Sequence, residues 1–352
     1  MKILNLILFL FSLIVISISA CNSNKQKNSG DSNDTAKTVI NSTDSLSPCW
    51  SKLEDLITPR NGHMAAAVNN KIYLAGGLTS GHTFEEYDVA NNSWRSLADM
   101  TTPREFISGC EVNGKIYAIG GWLNDSTYDV IEEYDPATNS WLTKSPMPTH
   151  RWGHSAVVMK EKIYIIGGAV DWPISKYYTS IEIYDPETDN WETKESNPSN
   201  GITPRWGSAV CAVNEKIYSI GGIDTPNYPD SGQSFQSFAI VEEYDPLSNN
   251  WKQKSLMPTA RWGLTAVSLN NKIYAIGGGD TFYPKKILNT VEVYDPLTDS
   301  WSVISTIPKG QIAAASCVVD NIIYVLGGGG LNPTDAYSNL FAYYHECDTL
   351  KK

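Results

Sequence analysis

The chain is poor in the residue patterns that ordinary catalytic chemistry needs. No G-x-S-x-G elbow occurs and no Ser, His and Asp set is evident, so nucleophilic acyl transfer has no visible machinery. Five histidines are present, and neither C-x-x-C nor H-E-x-x-H occurs, so no metal centre and no cofactor are expected. Positive charge is short: 27 Lys and Arg face 38 Asp and Glu, for a formal net charge of −11. That balance argues against non-specific binding to nucleic acid. The apolar run from Ile3 to Ile18, broken by Asn5, Ser12 and Ser17, is short for a permanent membrane helix.

That run follows Lys2 and reads as a secretion signal over residues 1–20. It ends Ile18-Ser19-Ala20-Cys21, which resembles a bacterial lipobox. The resemblance implies that Cys21 is lipidated and becomes the new N-terminus, so a membrane is a partner through a lipid anchor. An exported lipoprotein of the cell envelope, periplasmic or at the cell surface, is the expected location. Residues 21–47 are rich in Ser, Asn, Asp, Thr and Lys and nearly free of apolar side chains. Such a segment cannot bury enough surface to fold and reads as a flexible tether of roughly 30 Å.

What the chain does have, over residues 48–348, is one pattern written six times. A strand of the type KIYAIGG precedes a strand ending in YDP, and a lone Trp follows. The double glycines begin at Gly76, Gly120, Gly167, Gly221, Gly277 and Gly327, and the Trp series is Trp50, Trp94, Trp141, Trp191, Trp251 and Trp301. A period near fifty with four short β segments marks a β-propeller. Units of this kind cannot bury their apolar faces alone and must stack into one body. The second unit gives the template: Ile107–Val112 as strand a, Lys115–Gly121 as b, Val130–Tyr134 as c and Ser140–Lys144 as d. Asn113-Gly114 is a hairpin signal between a and b.

The last unit runs out after strand c, near Asn339–Tyr344, whereas Cys49-Trp50-Ser51-Lys52-Leu53-Glu54 matches a Trp-bearing strand d. The ring is therefore expected to close by pairing this N-terminal strand with the C-terminal strands. Cys49 and Cys347 then flank the place where other blades have a c–d turn, and a disulfide between them is expected. Cys110, Cys211 and Cys317 fall at one repeat position and read as small buried residues.

The GG, YDP and Trp order, with Pro-Arg segments before strand a, resembles Kelch repeats from about Cys49 to Cys347. The fold class this implies is all-β, a six-bladed Kelch propeller. In an antiparallel meander the b–c and d–a loops share one face. Their variable lengths, from Leu78–Thr83 to Ile223–Phe238, make that face the candidate binding surface. Arg60, Arg104, Arg151, Arg205 and Arg261, with Lys309 in the sixth position, are expected to ring the channel mouth. Guanidinium groups there suit carboxylate or phosphate. Trp152, Trp206 and Trp262 follow arginine in RWG units. Trp122, Trp172, Tyr177, Tyr178, Tyr228, Phe235, Phe282, Tyr283 and Tyr337 fall in the b–c loops as aromatics suited to stacking. The pairs Glu85-Glu86, Glu132-Glu133 and Glu242-Glu243 read as a solvated strand face. The expected function is capture of an anionic glycan or an acidic protein segment by this mouth.

The layout is also similar to exported N-acetylneuraminate epimerases. That resemblance implies a mutarotase in which Arg104, Arg151 or Arg205 holds the sugar carboxylate, Glu105 is the base and His150 the acid.

Overall fold

The computed structural model describes residues 49–347, apart from 79–80, 173, 197–200, 226–234, 236, 282–285, 331 and 333. The signal segment, Cys21, the tether, and the loop aromatics Tyr228, Phe282 and Tyr283 lie outside the described residues. Among the described residues, six four-stranded antiparallel sheets form. Blade one comprises Met64–Val68, Lys71–Ala75, Phe84–Asp88 and Ser93–Ser96 as strands a to d. Blades two to five repeat the order from Ser108, Ser155, Ala209 and Thr265. Each strand a touches the strand a of both neighbouring blades, so the innermost strands close a ring.

Blade six is assembled from both ends of the chain. Ala315–Val319, Ile322–Leu326 and Leu340–Tyr344 supply a to c, and Trp50–Lys52 supplies d. The register pairs Trp50 with Tyr343 and Lys52 with Phe341. Trp50 is buried, its ring 4.8 Å from Tyr343. This is the closure expected from the sequence, and it removes a free sheet edge.

The repeated residues explain themselves locally. Every a–b turn has two successive residues in the left-handed region, such as Asn69-Asn70 and Lys160-Glu161, which matches the twist of a two-residue hairpin. The Tyr of each YDP packs on the strand-d Trp; Tyr184 and Trp191 are 4.9 Å apart. The same Tyr184 hydroxyl donates to Asp189, and the Trp191 indole donates to the Ser145 carbonyl of the preceding blade. Uniform turns of this kind are scaffold, as their sequences suggest.

The double glycine joins blades. The second glycine N–H donates to the carbonyl of the residue opening the next blade, six times in succession: Gly77 to Arg104, Gly121 to Arg151, Gly168 to Arg205, Gly222 to Arg261, Gly278 to Gln311 and Gly328 to Arg60. A Cβ on Gly76, Gly120 or Gly221 would come within 2.7, 2.7 and 2.4 Å of that carbonyl oxygen. Only glycine admits this approach, and the positive φ at both positions asks for it as well.

Candidate functional site

The d–a and b–c segments do meet at one face. Two-residue bridges join Asn61 to Leu78, Glu105 to Trp122, Trp152 to Ala169, Trp206 to Ile223, Trp262 to Gly279 and Ile312 to Gly329. Directly after each d–a residue comes one in the left-handed region: Gly62, Phe106, Gly153, Gly207, Gly263 and Ala313, with φ from 50 to 64°. Their main chains bond in sequence around the axis. Gly62 N–H donates to Ala313, Ala313 to Gly263, Gly263 to Gly207, Gly207 to Gly153 and Gly153 to Phe106, at 2.7–3.2 Å. Among the described residues, the one link of this ring without a main-chain hydrogen bond lies between blades one and two, where Phe106 packs against Gly62. The ring narrows the channel mouth with backbone. The axial cavity of about 200 Å³ is lined in part by His63, Ser108, His154 and Thr265.

The five arginines do not line this mouth, which corrects the sequence expectation. Arg60, Arg104, Arg151, Arg205 and Arg261 are all fully buried at 0 % exposure. Each guanidinium turns back into its own blade and meets a strand-c glutamate. Arg60 lies 2.7 Å from Glu85, Arg151 2.9 Å from Glu182 and Arg261 2.8 Å from Glu292, while Arg104 pairs with Glu132 and Arg205 with Glu242. At Glu85 and Glu292 the approach is a close charge contact rather than an aligned hydrogen bond. Four of the five also donate to the carbonyl of the first glycine that ends strand b. A buried cation needs such partners, because desolvation is otherwise prohibitive. Glu85, Glu132 and Glu242 are accordingly buried. The solvated-face expectation fails for these first members of the pairs and for Glu86, which is buried and paired with Lys71 and Arg95.

The sixth position is Gln311, not Lys309. In every blade the residue in this slot lies 16 positions before the first glycine, as the arginine–glycine bonds reflect. Counting that interval would have found Gln311 from the sequence. Gln311 accepts from Asn339, and Phe341 stands where the other blades carry the acid. The cation and its acid are thus lost together. Lys309 instead lies over the Tyr337 ring at 3.2 Å.

The aromatics divide. Trp152, Trp206 and Trp262 are buried, with centroids 5.0 and 5.3 Å apart in series. Their indole N–H groups donate to Asp171 O, Thr225 Oγ1 and Thr281 O. They wedge adjacent blades and are not free surfaces, again correcting the expectation. Phe235 is buried as well. Trp172 is different: it is 38 % exposed, with its ring 5.8 Å from Trp152 and 6.5 Å from Trp206. Trp122 is half-buried against the same cluster.

The expected acid and base are not assembled. His150 is exposed and 3.5 Å from Asp129. Glu105 is buried at 6 % exposure, and burial alone pushes its carboxyl up to about 7. No hydrogen bond or ion pair joins the two, and none of the five arginines is available to a sugar carboxylate.

Cys49 is buried in a core cluster against which Cys347 also packs. The 3₁₀ turn His345–Cys347 carries Cys347 past Tyr344, whose N–H donates to the Cys49 carbonyl. No disulfide is formed among the described residues. Cys211 and Cys317 are buried, and burial pushes their thiols up to about 12, in line with an inert packing role.

The model of the KLHDC2/KLHL20/DRC7 Kelch-repeats domain matches residues 24–222, and the Kelch motif matches residues 204–258 and 261–308. The chain belongs to the Kelch-repeat family. This Kelch propeller is 35 % identical over 78 residues to Kelch-like protein 28 of Homo sapiens, covering 22 % of this chain and 13 % of that protein. It is 50 % identical over 38 residues to Kelch-like protein 24 of Rattus norvegicus, covering 11 % and 6 %. The match therefore spans only a small part of those relatives' length. Among solved structures, that of YjhT superposes with a TM-score of 0.70 at 19 % identity, covering 82 % of this chain and 95 % of that one. That likeness concerns the fold.

Proposed function

We propose that this chain is a lipid-anchored binding module of the cell envelope that takes a glycan on the aromatic part of its b–c and d–a face. One observation carries the reading. Trp172 keeps 38 % of its surface exposed while its ring packs in T-shaped contacts against Trp152 and Trp206. A flat, pre-positioned aromatic stacks on the apolar face of a sugar ring at little entropic cost. The variable loops that carry such residues stand on a scaffold whose turns are uniform. The arginines enter this reading as staples within blades. A negative charge on the ligand is then no longer required, and an acidic protein segment would find the five guanidinium groups already paired.

A glycan array probed with the full-length chain tests the proposal. Retention of neutral glycans is expected, with at least roughly tenfold weaker retention in Trp172→Ala at an unchanged melting temperature. Retention of no glycan at all would overturn the reading.

A further inference from the structure

Blade two breaks the pattern of the mouth. In blades three to five a large d–a residue faces a smaller b–c residue: Trp152 faces Ala169, Trp206 faces Ile223 and Trp262 faces Gly279. In blade two the bulk is exchanged, and Glu105 faces Trp122. Their main chains bond in both directions at 2.9 and 2.8 Å. Their side chains are left over. Glu105 makes no hydrogen bond or ion pair among the described residues although it is 6 % exposed, and the only influence on its carboxyl is burial. The Trp122 Nε1 atom is buried and has no acceptor, whereas the indoles of Trp152, Trp206 and Trp262 all have one. A buried donor without an acceptor thus stands across the bridge from a carboxyl group that has no protein partner and whose oxygens still reach solvent. Leaving such groups unmade is costly, and in native proteins the exceptions cluster where something else completes them.

The chemistry of the missing partner follows from the pair. Above about pH 7, where Glu105 is ionised, it must donate to a carboxylate and accept from an indole N–H. An ammonium group only donates. A carboxylate only accepts, and Glu105 would repel it. A hydroxyl does both at one oxygen. We propose that Glu105 and Trp122 form a hydroxyl subsite for a neutral sugar, the ligand O–H donating to a Glu105 oxygen while its own oxygen accepts from Trp122 Nε1–H. This deepens the glycan reading and rests on it. Phe106, next to Glu105, has its ring 5.7 Å from Trp152, so the subsite borders the aromatic bed. The main-chain ring of the mouth lacks one hydrogen bond between blades one and two, beside Glu105, where Phe106 packs against Gly62. The pair Glu105 and Trp122 also lies at the root of the hairpin Trp122–Leu123 and Ser126–Thr127, held by two cross-strand pairs. So short a ladder is the element that yields to admit the hydroxyl.

The test is calorimetric titration of free neutral mono- and disaccharides into the full-length chain, then of deoxy analogues of the best binder. One deoxy position should cost at least about tenfold in affinity. Trp122→Phe and Glu105→Gln should each weaken the parent sugar by roughly 5- to 20-fold, and the same deoxy analogue should then lose nothing further. If both variants bind the parent sugar as tightly as the unmodified chain while Trp172→Ala does not, the subsite is wrong and the aromatic bed stands. If no saccharide binds, both fall. The deoxy series and the NMR signal of the Trp122 indole proton need only the unmodified chain. A signal that shifts on saturation with the sugar supports the subsite, and one that stays put overturns it.

Discussion

Arg261 and Glu292 are both fully buried, so each is the other's counter-charge in a setting with no water to substitute. Removing one alone leaves an uncompensated buried charge, which costs about 3–5 kcal/mol. Arg261→Gln should therefore destabilise the fold by that amount in denaturant titrations. The double substitution Arg261→Gln with Glu292→Phe copies blade six, where Gln311 and Phe341 occupy these places, and should recover most of the loss. A double variant as unstable as the single one would refute the staple. Ala313 has φ 54° in a slot that is glycine in four blades. Relief of that strain should make Ala313→Gly more stable by up to about 1 kcal/mol, checked by the same titration. Glu105 carries a pH signature. Its carboxyl rises from the ordinary 4.5 to about 7 on folding, so the folded state holds the proton longer. Stability then falls as pH climbs from about 4.5 to 7 and levels off above. Glu105→Gln should flatten that slope, adding on the order of 2 kcal/mol at pH 8 and nothing near pH 4. Melting curves across that range would show it.

At the level of strands and turns, the sequence made most of the frame readable because each repeated residue answers a steric or hydrogen-bonding need that recurs. The Gly-Gly steps, the paired left-handed turn residues and the Tyr–Trp stacks all repeat at fixed intervals. The closure by Trp50–Lys52 was legible for the same reason: one Trp-bearing strand was missing at one end and spare at the other. The direction of a side chain was not. Arg151 before strand a reads equally well as pointing to the axis or back into the blade, and only the position of Glu182 decides it. Nor could Glu105 and Trp122 be seen to face each other until the bridge between d–a and b–c segments was aligned. The closing strand also makes a prediction. Cys49 and Cys347 share a cluster beside the seam. In an exported, oxidised chain we expect them to join, stapling the seam and adding about 5 kcal/mol in the chain-entropy model. Peptide mapping of the oxidised protein should find the cross-linked pair. Both thiols alkylating without reductant would contradict it.

As a whole molecule, the propeller combines a stiff ring with one variable face. Six inter-blade glycine bonds and a nearly continuous main-chain ring hold the frame of the mouth, so contacts at Trp172 need little reorganisation and only the short Trp122 hairpin has to move. The opposite face of short turns has no comparable aromatic surface in its repeated sequences. With a lipid on Cys21 and a tether between, such a body would sample ligands near a membrane without being pressed against it. Cys21→Ser should move the protein from the detergent phase to the aqueous phase in a partition experiment, and an unchanged distribution would remove the anchor from the account. The claim at the centre is that the arginines build the blades while aromatic and hydroxyl contacts take the ligand. Affinity of one array-selected neutral glycan, measured against Trp172→Ala, tests it most directly. Binding that drops at least roughly tenfold in an equally stable variant is the predicted result. Capture restricted to acidic ligands and indifferent to Trp172 would contradict it.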